Sequence, residues 1–204
     1  MVEAATTRRA ALNEVYQTGD FGEVTNNNPG VTFAERRALS IVQVAAWDDQ
    51  ADAAVTAIEQ AAGVRPSRDA CTATQSADTA ALWVGPDRWL IVEKENRDLD
   101  ATIRSAVSAE VAAITDQSHS RCVIRLTGSE ARNVLRKGTT LDLDPAYFKP
   151  GEARTTSLFH MNGLIHCLGE DSFDIYVARS FGQSFFEVIT HAAAEYGYRI
   201  DSPM

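Results

Sequence analysis

Two short apolar segments flank a turn in the stretch Leu82-Trp83-Val84-Gly85-Pro86-Asp87-Arg88-Trp89-Leu90-Ile91-Val92-Glu93. Pro86 restricts φ, Gly85 gives the backbone freedom, and Asp87 can accept hydrogen bonds from neighbouring amides. Because runs of Trp, Leu, Ile and Val favour strands, the stretch predicts a strand–turn–strand hairpin. A similar pattern returns at 167–177, where Gly169-Glu170-Asp171 stands between two apolar runs. This recurrence indicates two halves of similar architecture.

The first half is predicted to contain a strand at 41–46, a helix at 48–62, a long loop at 64–77, the hairpin, and a helix at 99–114. Both helices have apolar residues at helical spacing. Asp48 and Asp98 are the expected N-caps, and Gly63 is the expected glycine after the first helix.

The second half is predicted to contain a strand at 121–127, a helix at 130–137, a hairpin turning at Asn162-Gly163, a strand at 173–178, and a helix at 183–196. Ser129 is the expected cap of the helix at 130–137. The Asn-Gly dipeptide is a strong hairpin signal, and this hairpin would give the second half one strand more than the first. In the strand at 121–127, Cys122 and Ile124 alternate with Arg121 and Arg125, which predicts one buried face and one solvated or charge-paired face.

Each half therefore resembles a ferredoxin-like α+β unit, in which two helices pack on one face of an antiparallel sheet. We predict an N-terminal extension at 1–36, a first half at 37–115 and a second half at 116–204, forming one compact unit. Within the extension we expect a short helix at 8–17, exposed loops at 19–30 and a weak edge strand at 31–36.

The charge and the amino-acid composition exclude some classes of binding partner. The net charge of −9 and the isoelectric point near 4.9 argue against binding to nucleic acid or to an anionic membrane, both of which reward clustered Lys and Arg. No apolar run approaches the length of a membrane span, and none follows Arg8 and Arg9 to form a secretory signal. Cys71, Cys122 and Cys167 are widely spaced, as is typical of buried thiols in a reducing compartment. We expect a cytoplasmic protein.

Candidate catalytic residues have structural explanations. Asp116, Ser118 and His119 include the residue types of a catalytic triad, but near neighbours on an extended chain point apart rather than converge. We interpret them as a hydrogen-bonded turn before a strand. No dinucleotide-binding or P-loop glycine pattern occurs, and the paired carboxylates stand at predicted caps and turns.

The candidate metal ligands are too few to complete a site. A turn at Asn162-Gly163 would place His160 and Cys167 on one face of the hairpin and His166 on the other, and two ligands do not complete a zinc site. The same register would place Leu158, Ile165 and Cys167 on one face and Phe159, Met161 and Leu164 on the other. A sheet that is apolar on both faces needs cover on both, from helices and from the other half or a partner.

The hairpin resembles the leucine-tryptophan-glycine-proline-aspartate-x-tryptophan-leucine signature of the gamma subunit of heterotetrameric sarcosine oxidase. The likeness extends over about 33–200 and continues in Asp116-Gln117-Ser118-His119-Ser120-Arg121, Leu126-Thr127-Gly128-Ser129-Glu130-Ala131-Arg132-Asn133-Val134-Leu135, Lys137-Gly138, Leu141-Asp142-Leu143 and Tyr176-Val177-Ala178-Arg179-Ser180. Broader relatives are the glycine-cleavage aminomethyltransferases and other folate-binding proteins, whose fold contains two ferredoxin-like halves.

The resemblance implies a non-catalytic subunit of a complex that oxidises sarcosine to glycine and hydrogen peroxide, with tetrahydrofolate as co-substrate giving 5,10-methylenetetrahydrofolate. It implies FAD and covalent FMN in the beta subunit, NAD and a folate-binding region in alpha, and zinc in delta. This chain would have no catalytic residue, cofactor or metal, and would dock mainly on alpha. Candidate contacts with a partner are Arg88, Trp89, Tyr147 and Phe148. A stand-alone folate-binding or aminomethyltransferase-like protein remains an alternative, as does a scaffold of another amine oxidase.

Overall fold

The computed structural model describes residues 9–24 and 28–204. In this part of the chain the strands are β1 Gly19–Phe21, β2 Val31–Arg36, β3 Leu39–Ala46, β4 Ala73–Ser76, β5 Thr79–Gly85, β6 Arg88–Lys94, β7 Ala112–Asp116, β8 Arg121–Thr127, β9 Ala153–Leu158, β10 Met161–Gly169, β11 Ser172–Ala178 and β12 Tyr198–Ile200. The α-helices are α1 Ala51–Ala62, α2 Leu99–Ala106, α3 Ala131–Arg136 and α4 Gly182–Ala193. No helix among the described residues is long and apolar enough to cross a membrane.

A five-stranded antiparallel sheet has the order β4-β5-β6-β3-β7. Helices α1 and α2 cover its outer face, because side chains such as Ile58 and Ile103 join Val44, Trp89 and Ile91 in one buried apolar cluster. This arrangement confirms the prediction that two helices pack on one face of the first sheet.

A seven-stranded sheet has the order β1-β12-β2-β8-β11-β10-β9, and its strand pairs are antiparallel except for β2 and β12. Helices α3 and α4 cover its outer face, where Val134 and Phe185 pack with Ile124, Ile175 and other strand residues. The strand at 31–36 was expected at an edge. It lies inside the sheet instead, because β12 pairs with its second side. The short strands β1 and β12 were not predicted, and β1 replaces part of an expected loop.

The inner faces of the two sheets pack against each other. Buried residues from both sheets form one apolar cluster, which includes Leu82, Leu90, Val123, Leu164 and Tyr176. The layers therefore run helix, sheet, sheet, helix. With β1 and β2 set aside, the orders β4-β5-β6-β3-β7 and β9-β10-β11-β8-β12 correspond strand for strand, which confirms the predicted pseudo-repeat.

The β5–β6 hairpin forms as predicted. Pro86 and Asp87 make the turn, with Asp87 at a φ of 49°, and the register shifts between Trp83 and Gly85. Trp83 lies opposite Trp89, so the two rings stand on the same face of the sheet, towards α1 and α2. The hairpin is therefore part of the core of the first half.

The predicted turn at Asn162-Gly163 is wrong. The β9–β10 hairpin turns at Phe159 and His160, whose φ values are 48° and 66°, while Gly163 lies inside β10. A Cβ at Gly163 would lie 2.9 Å from Leu158 Cδ1, so this glycine permits close packing between strands rather than a turn. Phe159 and Met161 consequently pack with the outer cluster instead of facing inward with Leu164.

Both halves contain the strand that we expected only in the second. Strand β4, which corresponds to β9, lies in the segment predicted as the loop at 64–77. The predicted helix at 99–114 ends at Ala106, and its last three residues, 112–114, belong to β7, which pairs with the free side of β3. Backbone hydrogen bonds at that open edge outweigh the helical spacing of the apolar residues.

Helix ends agree with the predictions only in part. Asp98 caps α2 by accepting a hydrogen bond from the Ala101 amide at 2.9 Å, and Gly63 has the expected left-handed conformation after α1. Helix α1 begins at Ala51 rather than at the predicted Asp48, and α3 begins after Glu130 with no side-chain cap from the predicted Ser129. The helix expected at 8–17 is a turn over 11–15, and its first residue lies outside the described residues.

Candidate functional site between the sheets

The residues of triad type form the predicted turn. The Asp116 carboxylate accepts hydrogen bonds from the Ser118 amide at 2.8 Å and from the Ser118 hydroxyl at 2.5 Å. The same hydroxyl oxygen accepts from the Ile41 amide at 3.0 Å. Burial alone would raise the pKa of Asp116, but the hydrogen bonds from Ser118 outweigh it and lower this pKa. These hydrogen bonds link the connection between β7 and β8 to β3, so the role of Asp116 and Ser118 is structural.

The residues of metal-ligand type are separated. His160 is exposed in the β9–β10 turn, whereas His166 and Cys167 point to opposite faces of β10. In the part of the chain that the structure describes, no group of three or more His, Cys, Asp or Glu could hold a metal ion. Burial raises the pKa of the Cys122 thiol to about 12 and raises that of Cys167, so both side chains are protonated thiols at neutral pH.

The four candidate partner contacts divide by burial. Arg88 is exposed, and the Tyr147 side chain is 64% exposed. Trp89 is buried and donates from Nε1 to the Ser67 carbonyl at 2.7 Å, while Phe148 is buried and stacks on Phe173. Neither Trp89 nor Phe148 is available at the surface of this chain, because each belongs to its core. The prediction of a partner contact is therefore kept for Arg88 and Tyr147.

A buried charge cluster lies on the inner face of the seven-stranded sheet. It consists of Arg36, Arg125, His166, Asp174 and Tyr176, on β2, β8, β10 and β11. Asp174 is fully buried and accepts from Arg36 Nη1 at 2.5 Å, from Arg125 Nε at 2.5 Å and from Arg125 Nη2 at 3.0 Å. A buried carboxylate needs such partners, because removing a charge from water is otherwise costly. Sequence reasoning allowed for charge pairing of Arg125 but did not identify Asp174.

Burial sets the protonation states in this cluster. It lowers the pKa of His166 to about 4, and the charges of Arg125 and Arg36 act in the same direction, while Asp174 opposes them. Burial and the charge of Asp174 raise the pKa of Tyr176. The imidazole and the phenol are therefore neutral at pH 7. Nδ1 of His166 has no hydrogen-bond partner among the described residues, and the ring borders a cavity of about 50 Å³ between the sheets.

A larger cavity lies at the other end of the two sheets, and we call it the inter-sheet cleft. It has a volume of about 340 Å³ and is lined by residues of both sheets, including Gln43, Arg88, Leu90, Arg121, Asn162 and Tyr176. Two lining residues are arginines, and none of the described residues that line it is Asp or Glu. The cleft therefore offers cationic and amide donors above an apolar floor.

Arg132 joins several of the matched motifs into one unit. It is buried, and its guanidinium donates from Nε to the Glu170 carbonyl at 2.8 Å and from Nη1 to the Leu143 carbonyl at 2.5 Å. The same group lies 5.0 Å from the centre of the Phe173 ring. A helix residue thus anchors both the loop after α3 and the β10–β11 turn. Sequence reasoning missed this function, because both acceptors are backbone carbonyls of distant residues.

The buried polar groups described here stabilise turns and ion pairs. The arrangement of two similar halves defines an α+β protein of the aminomethyltransferase-like fold. The glycine cleavage system aminomethyltransferase T from Bartonella henselae shares this fold, with a TM-score of 0.66, 11% identity, and coverage of 95% of this chain and 58% of that chain. The sequence profile of the sarcosine oxidase gamma subunit family matches residues 47–195. The chain belongs to this family.

Relatives of known identity agree with that assignment. Sarcosine oxidase subunit gamma from Corynebacterium sp. (strain U-96) is 36% identical over 118 residues, and this alignment spans 58% of each chain. The same subunit from Arthrobacter sp. is 36% identical over 94 residues, or 46% of each chain. The matched part thus covers about half the length of these relatives. A chain of the heterotetrameric sarcosine oxidase from Corynebacterium sp. U-96 superposes with a TM-score of 0.80 at 27% identity, covering 93% of this chain and 96% of that chain.

Proposed function

We propose that this chain is the non-catalytic gamma subunit of a heterotetrameric sarcosine oxidase. The observation that carries the proposal is the superposition on a chain of such an enzyme over nearly the full length of both chains, with a TM-score of 0.80. Membership of the gamma subunit family supports it. The role of the chain in the complex is assembly, in that its folded surface holds a partner subunit in place.

The proposal extends to the reaction of the whole complex. The complex oxidises sarcosine to glycine and hydrogen peroxide, and with tetrahydrofolate it yields 5,10-methylenetetrahydrofolate. FAD, FMN, NAD and zinc belong to the partner subunits alpha, beta and delta, and alpha is the main docking partner. The commitment of Asp116 and Asp174 to structural hydrogen bonds supports a non-catalytic role for this chain. We place the protein in the cytoplasm, on the pattern of its cysteines.

The division of the chain belongs to the same proposal. We treat 1–36 as an extension, 37–115 as the first half and 116–204 as the second.

We assign contacts with a partner to Arg88, after the β5–β6 turn, and to Tyr147, in the loop before β9. Both side chains are exposed, and exposed arginine and tyrosine are frequent anchors of interfaces.

Copurification tests the proposal. The chain, given an affinity tag and expressed with the other three subunits, is expected to retain all of them through size-exclusion chromatography. Expressed alone, it is expected to be colourless and to produce no hydrogen peroxide from sarcosine. Flavin absorbance in the isolated chain, or failure to retain any of the three subunits, would contradict the proposal.

A stand-alone folate-binding protein is the second candidate, and the inter-sheet cleft is the observation that favours it, because about 340 Å³ can hold a small organic ligand. Calorimetric titration of the isolated chain with tetrahydrofolate separates the two. Micromolar binding would favour the second candidate, whereas the absence of heat at that concentration is expected for an assembly subunit.

A further inference from the structure

Arg88 and Arg121 differ from the arginines that stabilise this fold. Arg36 and Arg97, for example, each pair with a buried carboxylate. The Arg88 side chain forms no ion pair and no hydrogen bond with any residue that the structure describes. Arg121 donates from Nε and Nη2 to one neutral acceptor, Oε1 of Gln117, at 3.0 and 2.9 Å. Two positive charges in a protein of net charge −9 are thus left without a carboxylate.

The surroundings of Arg121 hold its guanidinium in place without neutralising it. The side chain of Gln117 accepts from Arg121 and in turn donates from Nε2 to Oε1 of Gln43 at 2.9 Å. These two side-chain amides therefore fix the orientation of the Arg121 guanidinium group. Nη1 of Arg121 has no acceptor among the described residues, and Arg121 lines the inter-sheet cleft. Burial lowers the pKa of Arg121, which is the effect of an uncompensated charge.

The two arginines line the same cleft at different depths. Arg121 is half-buried, whereas Arg88 is exposed. An anion that entered the cleft would meet Arg88 first and Arg121 further in. Guanidinium groups bind carboxylates with short, directional hydrogen bonds, and they do so more strongly where water is partly excluded.

The surface beside Arg88 has the character of an interface. The exposed Pro86 lies two residues before Arg88. The amide of Ala46 donates a hydrogen bond to the carbonyl of Asp87 at 2.9 Å, which brings the end of β3 to the same turn. The next residue, Trp47, is 49% exposed. Tryptophan and arginine are the residue types most enriched where binding energy concentrates in protein interfaces.

We propose that the inter-sheet cleft receives a carboxylate of a partner subunit, from an acidic side chain or a chain terminus, which pairs with Arg88 and Arg121. The inference rests on the proposed function, since it needs a partner subunit. The occupant is acidic because, among the residues that the structure describes, the cleft presents two arginines without a carboxylate partner and no anionic side chain. A protein is the favoured occupant because Arg88 stands next to a turn that contains the exposed Pro86, and this turn is hydrogen-bonded to Ala46, the neighbour of the exposed Trp47.

Binding of the full chain to the copurified alpha, beta and delta subunits tests the inference by biolayer interferometry. Arg88→Ala and Arg121→Gln are each expected to weaken the complex by about 30-fold or more, as is typical when one partner of a hydrogen-bonded charge pair is removed. Arg65→Ala is the matched control, because Arg65 is an exposed arginine paired with Glu59, away from the cleft, and less than twofold change is expected. Arg88→Ala should also make the affinity less dependent on salt.

Each outcome is informative. If the wild-type chain does not bind the other subunits, the proposed function itself fails. If the wild type binds and both cleft variants bind within twofold of it, only the cleft assignment is overturned. Submillimolar binding of glutarate by the isolated wild type, lost in Arg121→Gln, would overturn the assignment to a partner and indicate a free carboxylate. Arg88 is exposed, so Arg88→Ala keeps the test valid even if Arg121→Gln unfolds, which thermal unfolding of each variant would reveal.

Discussion

Acidification should destabilise this protein through a single histidine. His166 is 3% exposed and lies among Asp174, Arg125, Arg36 and Tyr176, and its pKa is lowered to about 4 by burial. In the unfolded chain its pKa returns to about 6.5. Between these values the unfolded state binds the proton and the folded state does not. Stability therefore falls as pH drops through this range, and the loss is complete below about pH 4.

The magnitude follows from the two pKa values. The interval from 6.5 to about 4 corresponds to about 3 kcal/mol of unfolding free energy once the pH is below both values. At pH 5.0 the loss relative to pH 7.5 is about 2 kcal/mol, because the unfolded histidine is then almost fully protonated and the folded one almost fully neutral.

Urea unfolding of three proteins at pH 7.5 and at pH 5.0 measures this contribution. His166→Gln removes the titrating group, and His160→Gln is the matched control because His160 is exposed in a turn. The wild type and the control should lose about 2 kcal/mol more than His166→Gln between the two pH values. Equal losses in His166→Gln and the wild type, or an NMR titration of His166 with a midpoint near 6.5, would refute the reasoning.

Four further substitutions test the buried ion pairs, the close approach of two strands and the cap of α2. Asp174→Asn should lower the unfolding free energy by about 3 kcal/mol in urea, since it leaves two arginines without their carboxylate, and a loss below about 1 kcal/mol would show that solvent screens the cluster. Gly163→Ala should cost about 1–3 kcal/mol because its Cβ would lie 2.9 Å from Leu158 Cδ1, whereas Gly85→Ala, with its nearest contact at 4.0 Å, should be nearly neutral. Asp98→Ala should cost about 1 kcal/mol through loss of the α2 cap, which calorimetry would detect as a lower Tm, and an unchanged Tm would exclude a role for the cap.

Residue patterns predicted the strand faces of the candidate site but not the partners of its charged side chains. Alternation predicted that Arg121 and Arg125 share a face of their strand, and the structure places both towards the other sheet. Their partners could not be predicted, because Asp174 meets Arg125 only through the register of β8 and β11, which are 49 residues apart at this pair. The cleft likewise needs both sheets, since Arg88 comes from one and Arg121 from the other.

The sequence by itself determined the features that depend on neighbouring residues. The Pro86-Asp87 turn, the left-handed Gly63, the cap at Asp98 and the alternation of β8 all follow from local backbone and side-chain chemistry. The signature around the hairpin was also sufficient to indicate the family.

Only the tertiary structure decided the features that depend on strand pairing. Residues 112–114, which were predicted to be helical, join the open edge of β3, and β2 becomes an interior strand because β12 pairs with it. The Asn-Gly dipeptide lies within a strand because Gly163 is needed where Leu158 approaches closely. In each case backbone hydrogen bonds and contacts between residues distant in the chain outweigh a local preference of about 1 kcal/mol, and such contacts exist only once the two sheets are assembled.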